Sequence, residues 1–106
     1  MPSLDELFAM MPNAFDAEKA KDLNATVQFD LTGEGGDQYY VQIANGTIKT
    51  EKGTADSPTA TIHMDAEDYK KMIAGDLNPV TAFMTQKIKV EGDLNTVMKF
   101  QGLFNN

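Results

Sequence analysis

The sequence of 106 residues contains no cysteine, no arginine and no tryptophan. Without cysteine the chain has neither a disulfide framework nor thiolate chemistry. Sixteen acidic residues against nine lysines leave a net charge of −7. This charge argues against nucleic acid as a partner, because such binding depends on phosphate neutralisation by basic side chains. It also argues against tight docking on anionic membranes and predicts at most transient membrane contact.

Long apolar runs are also absent, and no stretch approaches the roughly 20 residues that a membrane-spanning helix needs. The first fifteen residues carry Asp5 and Glu6 but no basic region, so they are unlike a secretory signal. These features lead us to expect a cytoplasmic protein. The length predicts one domain that covers residues 1–106.

Groups that could carry catalysis are few. His63 is the only histidine, and the alternation around it predicts that it faces solvent, opposite Ile62 and Met64. One histidine without cysteine does not supply the ligands of a zinc site. Because the sequence offers no nucleophile paired with a base, we expect neither enzyme activity nor a bound cofactor.

The period of the apolar pattern changes along the chain and predicts the element order. A Ser3–Glu6 capping box precedes a first helix, and residues 16–22 favour a second. Alternating apolar residues predict four strands, and then two helices, a fifth strand and a final helix follow. The strands are expected at 26–31, 39–44, 47–51, 59–64 and 87–91. Strand runs separated from helix runs indicate an α+β fold, an antiparallel sheet with helices over one face.

The tetrapeptide GDLN occurs twice, at residues 75–78 and 92–95. Gly75 is expected to end a helix in a left-handed conformation, whereas Gly92 is expected to end a strand. Asn78 is the predicted cap of the helix after the first copy, and Asp93 is the predicted cap after the second. The two copies therefore have different local roles and do not form a structural repeat.

The last helix places a polar side chain among apolar ones. On a helical wheel of about 100° per residue, Gln101 falls within an apolar arc that includes Val97 and Met98. An unpartnered buried amide costs roughly 1–3 kcal/mol. Gln101 is therefore either a satisfied core residue or a group that meets the polar end of a ligand in a cavity. Four methionines are also predicted on inward faces, namely Met64, Met72, Met84 and Met98.

Long stretches of the chain resemble the sterol carrier protein (nonspecific lipid-transfer) domain family, from about Phe15 to Phe104. The most specific similarity lies at Gly75, Pro79, Ala82 to Met84, Lys87 to Val90, Gly92, Asp93 and Met98 to Gln101. The resemblance implies a five-stranded, mostly antiparallel sheet covered by helices and enclosing an apolar tunnel. It also implies a protein that is not an enzyme and that binds fatty acids, acyl-CoA, phospholipids or sterols.

We therefore predict a lipid carrier, a monomer or weak dimer, that holds its ligand in an internal tunnel. The predicted lining residues are Phe29, Val41, Ile43, Ile62, Met64, Ile73, Phe83, Met84, Val97, Met98, Gln101 and Phe104. Two alternatives stay open: an interaction or dimerisation module with the same fold, and an accessory domain that presents lipid to a partner enzyme.

Overall fold

The computed structural model describes residues 3–103, apart from the side chain of Ala14. The helices are α1 (Leu4–Met10), α2 (Ala17–Ala20), α3 (Ala66–Ile73), α4 (Pro79–Met84) and α5 (Leu94–Gly102), with a short 3-10 turn at Met11–Ala14. The strands are β1 (Ala25–Thr32), β2 (Gln38–Ala44), β3 (Thr47–Lys52), β4 (Ala60–Asp65) and β5 (Ile88–Gly92). The predicted order of helices and strands is confirmed.

The two GDLN copies take the different roles that the sequence predicts. Gly75 and Gly92 both have a φ of +88°, but Gly75 follows α3 whereas Gly92 is the last residue of β5. Asn78 caps α4 through its side-chain oxygen, with Pro79 in the first turn. Asp93 caps α5 in the same way. The shared tetrapeptide is thus a left-handed glycine followed by a polar helix start, used at two unlike junctions.

The five strands form one sheet in the order β3-β2-β1-β4-β5. Three of the neighbouring pairs are antiparallel, but β1 and β4 are parallel. The expected α+β class is confirmed, and the sheet is mixed rather than wholly antiparallel. The parallel pair arises because residues 53–59, here called the crossover, carry the chain from edge strand β3 to the far side of β1.

Gln28 fixes the crossover to the sheet. Its place in the alternating pattern of β1 predicts a solvent-facing side chain, yet it is only 5% exposed. Its Nε2 donates to the carbonyl oxygens of Tyr39 (3.1 Å) and Gly53 (3.0 Å), and its Oε1 accepts from the Ala55 N–H at 2.7 Å. The buried amide leaves no polar atom unsatisfied, because both its Nε2 and its Oε1 have hydrogen-bond partners.

The core lies between the inner face of the sheet and helix α1. The Phe8 ring of α1 stacks on Tyr39, with centroids 4.2 Å apart, and on Tyr69 of α3 at 5.5 Å. It also meets the edge of Phe29 at 5.2 Å. Contacts between aromatic rings add about 0.5–1.5 kcal/mol each to the burial of the rings themselves. This end of the sheet is therefore sealed by α1.

A polar contact also ties α1 to the sheet. The Tyr39 hydroxyl donates to Asp5 Oδ1 at 2.5 Å, and Lys52 Nζ lies 3.4 Å from the same oxygen and 3.1 Å from Asp37 Oδ2. The Tyr39 hydrogen bond, aided by Lys52, lowers the pKa of Asp5. Burial and this carboxylate together raise the pKa of Tyr39 well above its usual value. Both shifts favour the neutral phenol donating to the ionised carboxylate.

Candidate functional site

Large apolar side chains are exposed mainly on the three C-terminal helices. Among the described residues seven such side chains are exposed, and six of them lie between residues 73 and 98. We call these six the apolar face: Ile73, Val80, Phe83, Met84, Leu94 and Met98. The seventh is Met10, at the end of α1. Apolar exposure concentrated in one segment points to a surface that meets a ligand or partner.

Helix α4 turns its apolar side outward. Val80, Phe83 and Met84 follow the i, i+3, i+4 spacing that groups side chains on one side of a helix, and all three are exposed. Met84 is 77% exposed, whereas the buried residue of α4 is the small Ala82 at 0%. A surface helix normally buries its apolar stripe. The orientation of α4 is therefore inverted, and its large side chains lack a partner within the described residues that buries them.

Helix α5 is rotated relative to the sequence prediction. Its buried residues are Thr96 and Phe100, followed by Leu103 at the C-cap, while Val97 is half-buried. Phe100 packs on Phe29 with ring centroids 5.7 Å apart, and the Thr96 hydroxyl is satisfied by Asp93 Oδ2 at 2.8 Å.

This rotation overturns the predicted inward orientation of two α5 side chains. Gln101 does share an arc with Leu94 and Met98, but all three are exposed. A helical wheel gives every apolar residue the same weight. In the structure, the packing of Phe100 on Phe29 decides which side of the helix is buried.

Two of the helices that carry the apolar face lie at a partly covered edge of the sheet. Ile88 and Val90 of β5 pair with Met64 and Ile62, so they lie on the inner face of the sheet. Both are only half-buried, unlike their β4 partners. Helices α4 and α5 each pack against β5. The edge strand and these two helices thus leave apolar surface accessible at the end of the molecule that α1 does not seal.

The predicted lining residues therefore fall into two groups. Five of them, Phe29, Val41, Ile43, Ile62 and Met64, are buried in the core, and Val97 is half-buried against it. Five others, Ile73, Phe83, Met84, Met98 and Gln101, are exposed, so their predicted inward orientation is wrong. Phe104 lies outside the described residues. The internal tunnel stays a prediction.

Val80 and Leu94 complete the apolar face but are not among the predicted lining residues. Val80 has helical spacing to Phe83 and Met84 after the Asn78 cap, and this spacing could have identified it. Leu94 lies four residues before Met98 and so shares its side of α5. Both signals are present in the sequence, but periodicity alone does not tell an outward stripe from an inward one.

Two clefts lie away from the apolar face. One, of about 280 Å³, separates the crossover at residues 54–57 from Thr26, Tyr40 and Gln42 and is mainly polar. The other, of about 360 Å³, lies between α2 and the end of α5, with Leu23 and Leu103 in its lining. Neither is lined by a residue of the apolar face.

His63 has a structural environment. Its Nδ1 lies 3.0 Å from Asp30 Oδ2, and its Nε2 lies 2.8 Å from Glu91 Oε1 in a direction that makes no hydrogen bond. The side chain is 31% exposed rather than fully solvated. Within residues 3–103, no three His, Cys, Asp or Glu side chains come together as metal ligands would. In the same part of the chain, every helix is too short or too polar to cross a bilayer.

Comparison with known proteins identifies a family. Residues 4–105 match the SCP-2 sterol transfer family. The rat hydroxysteroid dehydrogenase-like protein 2 is 28% identical over 105 residues, which cover 98% of this chain and 20% of that protein. The protein of the same description from Xenopus tropicalis is 30% identical over 99 residues, 92% of this chain and 24% of that one. The chain thus spans about a fifth to a quarter of the length of the curated relatives it matches.

Solved structures share the fold at low sequence identity. The solution structure of palmitated SCP2L2 from Aedes aegypti has a TM-score of 0.81 at 20% identity and covers 99% of this chain and 96% of that one. A stereoselective inverting sec-alkylsulfatase from Pseudomonas sp. has a TM-score of 0.84 at 19% identity. There the likeness covers 99% of this chain but 17% of the sulfatase. The same fold thus occurs both alone and as a small part of a longer chain.

Proposed function

Because this chain belongs to the SCP-2 sterol transfer family, we propose that it binds the apolar part of a lipid at its C-terminal helices and carries it. The observation that supports this most is the inverted helix α4, which exposes Val80, Phe83 and Met84 while burying Ala82. These side chains would gain by being covered, since burying one large apolar side chain fully contributes about 1.5–3 kcal/mol.

The expected affinity follows from the area of an acyl chain. Burying about 400 Å² of it at about 25 cal/mol/Å² contributes up to roughly 10 kcal/mol. The ligand's lost freedom and the ordering of side chains offset part of this, so we expect dissociation constants near micromolar. Methionine is flexible and polarizable, and Met84 and Met98 can adapt to different chain shapes. Selectivity among apolar chains should therefore be loose.

The ligand we propose is a fatty acid or another lipid with a single polar end, such as an acyl-CoA, phospholipid or sterol. The Aedes aegypti protein of the same fold was solved in its palmitated form, which makes palmitate the first ligand to test. Gln101 lies near the end of α5, on the same side as Leu94 and Met98. Its exposed amide can bond the polar end of a lipid that lies along these residues. Movement of α5 would then let the acyl chain of the lipid reach the core side chains Phe29 and Met64.

A titration with a fluorescent fatty acid tests the proposal. The double variant Val80→Ser/Met84→Ser should bind at least tenfold more weakly than the parent, because two exposed apolar contacts are removed without disturbing the core. The matched control is Met10→Ser, which changes an apolar residue that is 56% exposed but lies outside the apolar face. Native mass spectrometry of protein purified from cells should also show bound lipid. Equal affinity of the parent and the double variant would contradict the assignment of this surface.

A second function is favoured by the lengths of the relatives. The curated relatives are four to five times longer than the region they share with this chain, so an accessory domain that presents lipid to an enzyme is the alternative. The same apolar face would then contact protein. A clean apo-mass, no response of the fluorescent fatty acid, and an oligomer that Val80→Ser/Met84→Ser dissociates would together contradict lipid presentation and support instead an interaction or dimerisation module with the same fold. That this domain is not itself an enzyme stays a prediction.

A further inference from the structure

We propose that the free edge of β3, meaning the backbone groups of this strand that face away from β2, is an interface with a second copy of this chain. In it β3 pairs antiparallel with β3 of its partner about Thr50. The two sheets would then continue into each other, with β5 of each protomer at the outer edges. The pairing uses no residue of the apolar face and so does not depend on the proposed function. The sequence predicts a monomer or weak dimer, and this edge favours the weak dimer.

Backbone groups of β3 alternate between those that bond β2 and those that point outward. Strand β3 stands at one end of the strand order, with β2 as its neighbour. Beyond the pair of Lys52 with Tyr39, the Gly53 N–H donates to the Gln38 carbonyl oxygen at 2.8 Å. Because antiparallel residue pairs alternate between hydrogen-bonded and non-hydrogen-bonded ones, every second residue counted back from Gly53 bonds β2. The residues between them direct their N–H and C=O groups outward, namely Ile48, Thr50 and Lys52. Outside the sheet ladder, no hydrogen bond within residues 3–103 engages these groups.

Side chains along the free edge remain accessible. Ile48 and Thr50 are half-buried, although their β2 partners Ile43 and Val41 are only 2% and 0% exposed. Helix α1 does contact β3, but it lies over the inner face of the sheet. A strand added beside β3 would therefore cover side chains that this chain covers only in part.

Charges on the outer face of β3 favour one register of pairing. Lys49 and Glu51 are neighbours on this face, with Nζ of the lysine 3.4 Å from Oε1 of the glutamate. Pairing about Thr50 puts Lys49 opposite the partner's Glu51, and Glu51 opposite the partner's Lys49. It also joins the outward-directed groups of Thr50 to those of the partner's Thr50, as an antiparallel ladder requires.

Neighbouring registers are unfavourable. A shift by two residues in one direction puts Lys49 opposite the partner's Lys49, and a shift in the other direction puts Glu51 opposite the partner's Glu51. Like charges directly opposite each other destabilise a strand pair. A shift by one residue places outward-directed groups opposite groups that already bond β2. The register about Thr50 satisfies both the backbone and the charges, and it is twofold symmetric, as most dimers are.

Lysine on an edge strand commonly prevents such pairing by its charge, but here carboxylates offset both lysines of β3. Glu51 lies beside Lys49. Asp5 and Asp37 of the same chain lie 3.4 and 3.1 Å from Lys52 Nζ. Exposed ion pairs contribute little by themselves, and one strand pair covers less than the roughly 1,200–2,000 Å² of a stable interface. We therefore expect a weak dimer, with a dissociation constant of about 0.1–1 mM.

Sedimentation equilibrium of the whole chain, at concentrations on either side of this range, tests the pairing by charge exchange. Lys49→Glu makes both charged positions acidic and Glu51→Lys makes both basic, so each variant alone should dimerise about tenfold more weakly than the parent. An equal mixture of the two should dimerise about as well as the parent, because each acid then faces a lysine. Rescue in the mixture also shows that both variants are folded.

The lack of cysteine in the chain allows the register to be measured directly. In the proposed pair, the Cα atoms of Thr50 and the partner's Thr50 are about 5.5 Å apart, a distance that a disulfide spans. Thr47 would lie opposite the partner's Gly53, which separates the two Thr47 residues by about 20 Å. Oxidation should therefore cross-link Thr50→Cys about tenfold faster than the matched control Thr47→Cys.

Contrary results separate this pairing from the proposed function. A parent chain that stays monomeric at millimolar concentration would refute the pairing and leave lipid binding intact. A mixture that dimerises no better than its components, or equal cross-linking of the two cysteine variants, would show that β3 is not the interface. A dimer that Val80→Ser/Met84→Ser dissociates would place the contact on the apolar face instead. A parent that dimerises as expected but binds no fatty acid would support the pairing and refute the proposed function.

Discussion

Helices α1 and α4 are similar in sequence character and opposite in burial. Each is about two turns long, begins at a polar cap and carries large apolar residues at helical spacing. In α1 those residues, Leu4 and Phe8, are buried, whereas in α4 Val80 and Met84 are exposed. Amphipathic spacing thus shows that a helix has an apolar side, while the surroundings decide what covers that side.

The surroundings of the two helices explain the difference. Helix α1 meets the rings of Tyr39 and Tyr69, and Asp5 adds a hydrogen bond to the Tyr39 hydroxyl. Helix α4 instead packs on the edge strand β5 and buries Ala82. We call α1 with β1–β3 the sealed end and α3–α5 with β5 the open end. Stability is expected to depend mainly on the first and lipid affinity on the second.

The largest difference in stability is expected between two single variants, one that truncates a phenylalanine of the sealed end and one that truncates a phenylalanine of the open end. Phe8→Ala removes a ring stacked on two others and should lower the free energy of unfolding by about 3–5 kcal/mol. Phe83→Ala removes a ring that is 46% exposed and should cost about 1 kcal/mol or less while weakening fatty acid binding. Urea unfolding measures the first quantity and a fluorescent fatty acid the second. Equal losses of stability would show that the open end is closed in solution.

Two glycines of the open end should differ in how much stability is lost when each is replaced by alanine. Both Gly75 and Gly92 have a φ of +88°, but a Cβ on Gly92 would come within 2.6 Å of the Thr59 carbonyl oxygen, whereas one on Gly75 meets nothing within 4 Å. Gly75→Ala should cost about 1–2 kcal/mol from backbone strain alone. Gly92→Ala should cost more, because the Thr59 backbone must also move. Thermal unfolding of both variants would reveal the order, and a smaller loss for Gly92→Ala would contradict it.

The stability that the hydrogen bond between Tyr39 and Asp5 contributes to the sealed end should depend on pH. The pKa of Asp5 is lowered by Tyr39, so the stability that this contact contributes is present above the ordinary value of 3.8 and is lost as pH falls through the lowered pKa. Tyr39→Phe should therefore be less stable than the parent at neutral pH, by less than Phe8→Ala. The difference should shrink below pH 3.8. Urea midpoints from pH 2.5 to 7 measure it, and a constant difference would show that Asp5 is not responsible.

The smallest effect is expected from Gln101→Leu at the open end. An exposed amide that bonds a lipid's polar end contributes about 0.5–1.5 kcal/mol, so fatty acid affinity should fall roughly two- to tenfold. The methyl ester of the same fatty acid should lose less, because its polar end carries no charge. Stability should not change, since Gln101 is exposed. Equal affinities of the variant and the parent for the acid would remove Gln101 from the site.

The sequence predicted local structure well because its signals act over short distances. The capping box at Ser3, the Asn78 cap and the Asp93 cap are all confirmed. What it could not predict depends on contacts between distant residues. The burial of Gln28 requires Gly53 and Ala55 of the crossover, and the rotation of α5 requires the contact between Phe100 and Phe29. The arc around Gln101 was located correctly, but only packing decides which way it faces.

The position of β1 in the sheet has a consequence for the order of folding. It pairs on one side with β2, the next strand along the chain, and on the other with β4, so that Asp30 lies beside His63. Hairpins close short loops and form early, whereas the β1–β4 pairing must first close a long loop. We expect the amides of β1 and β2 to exchange with solvent most slowly and those of α4 and β5 most quickly. A molecule built in this order can loosen the last part it assembles, and so admit a lipid, while the first part stays folded.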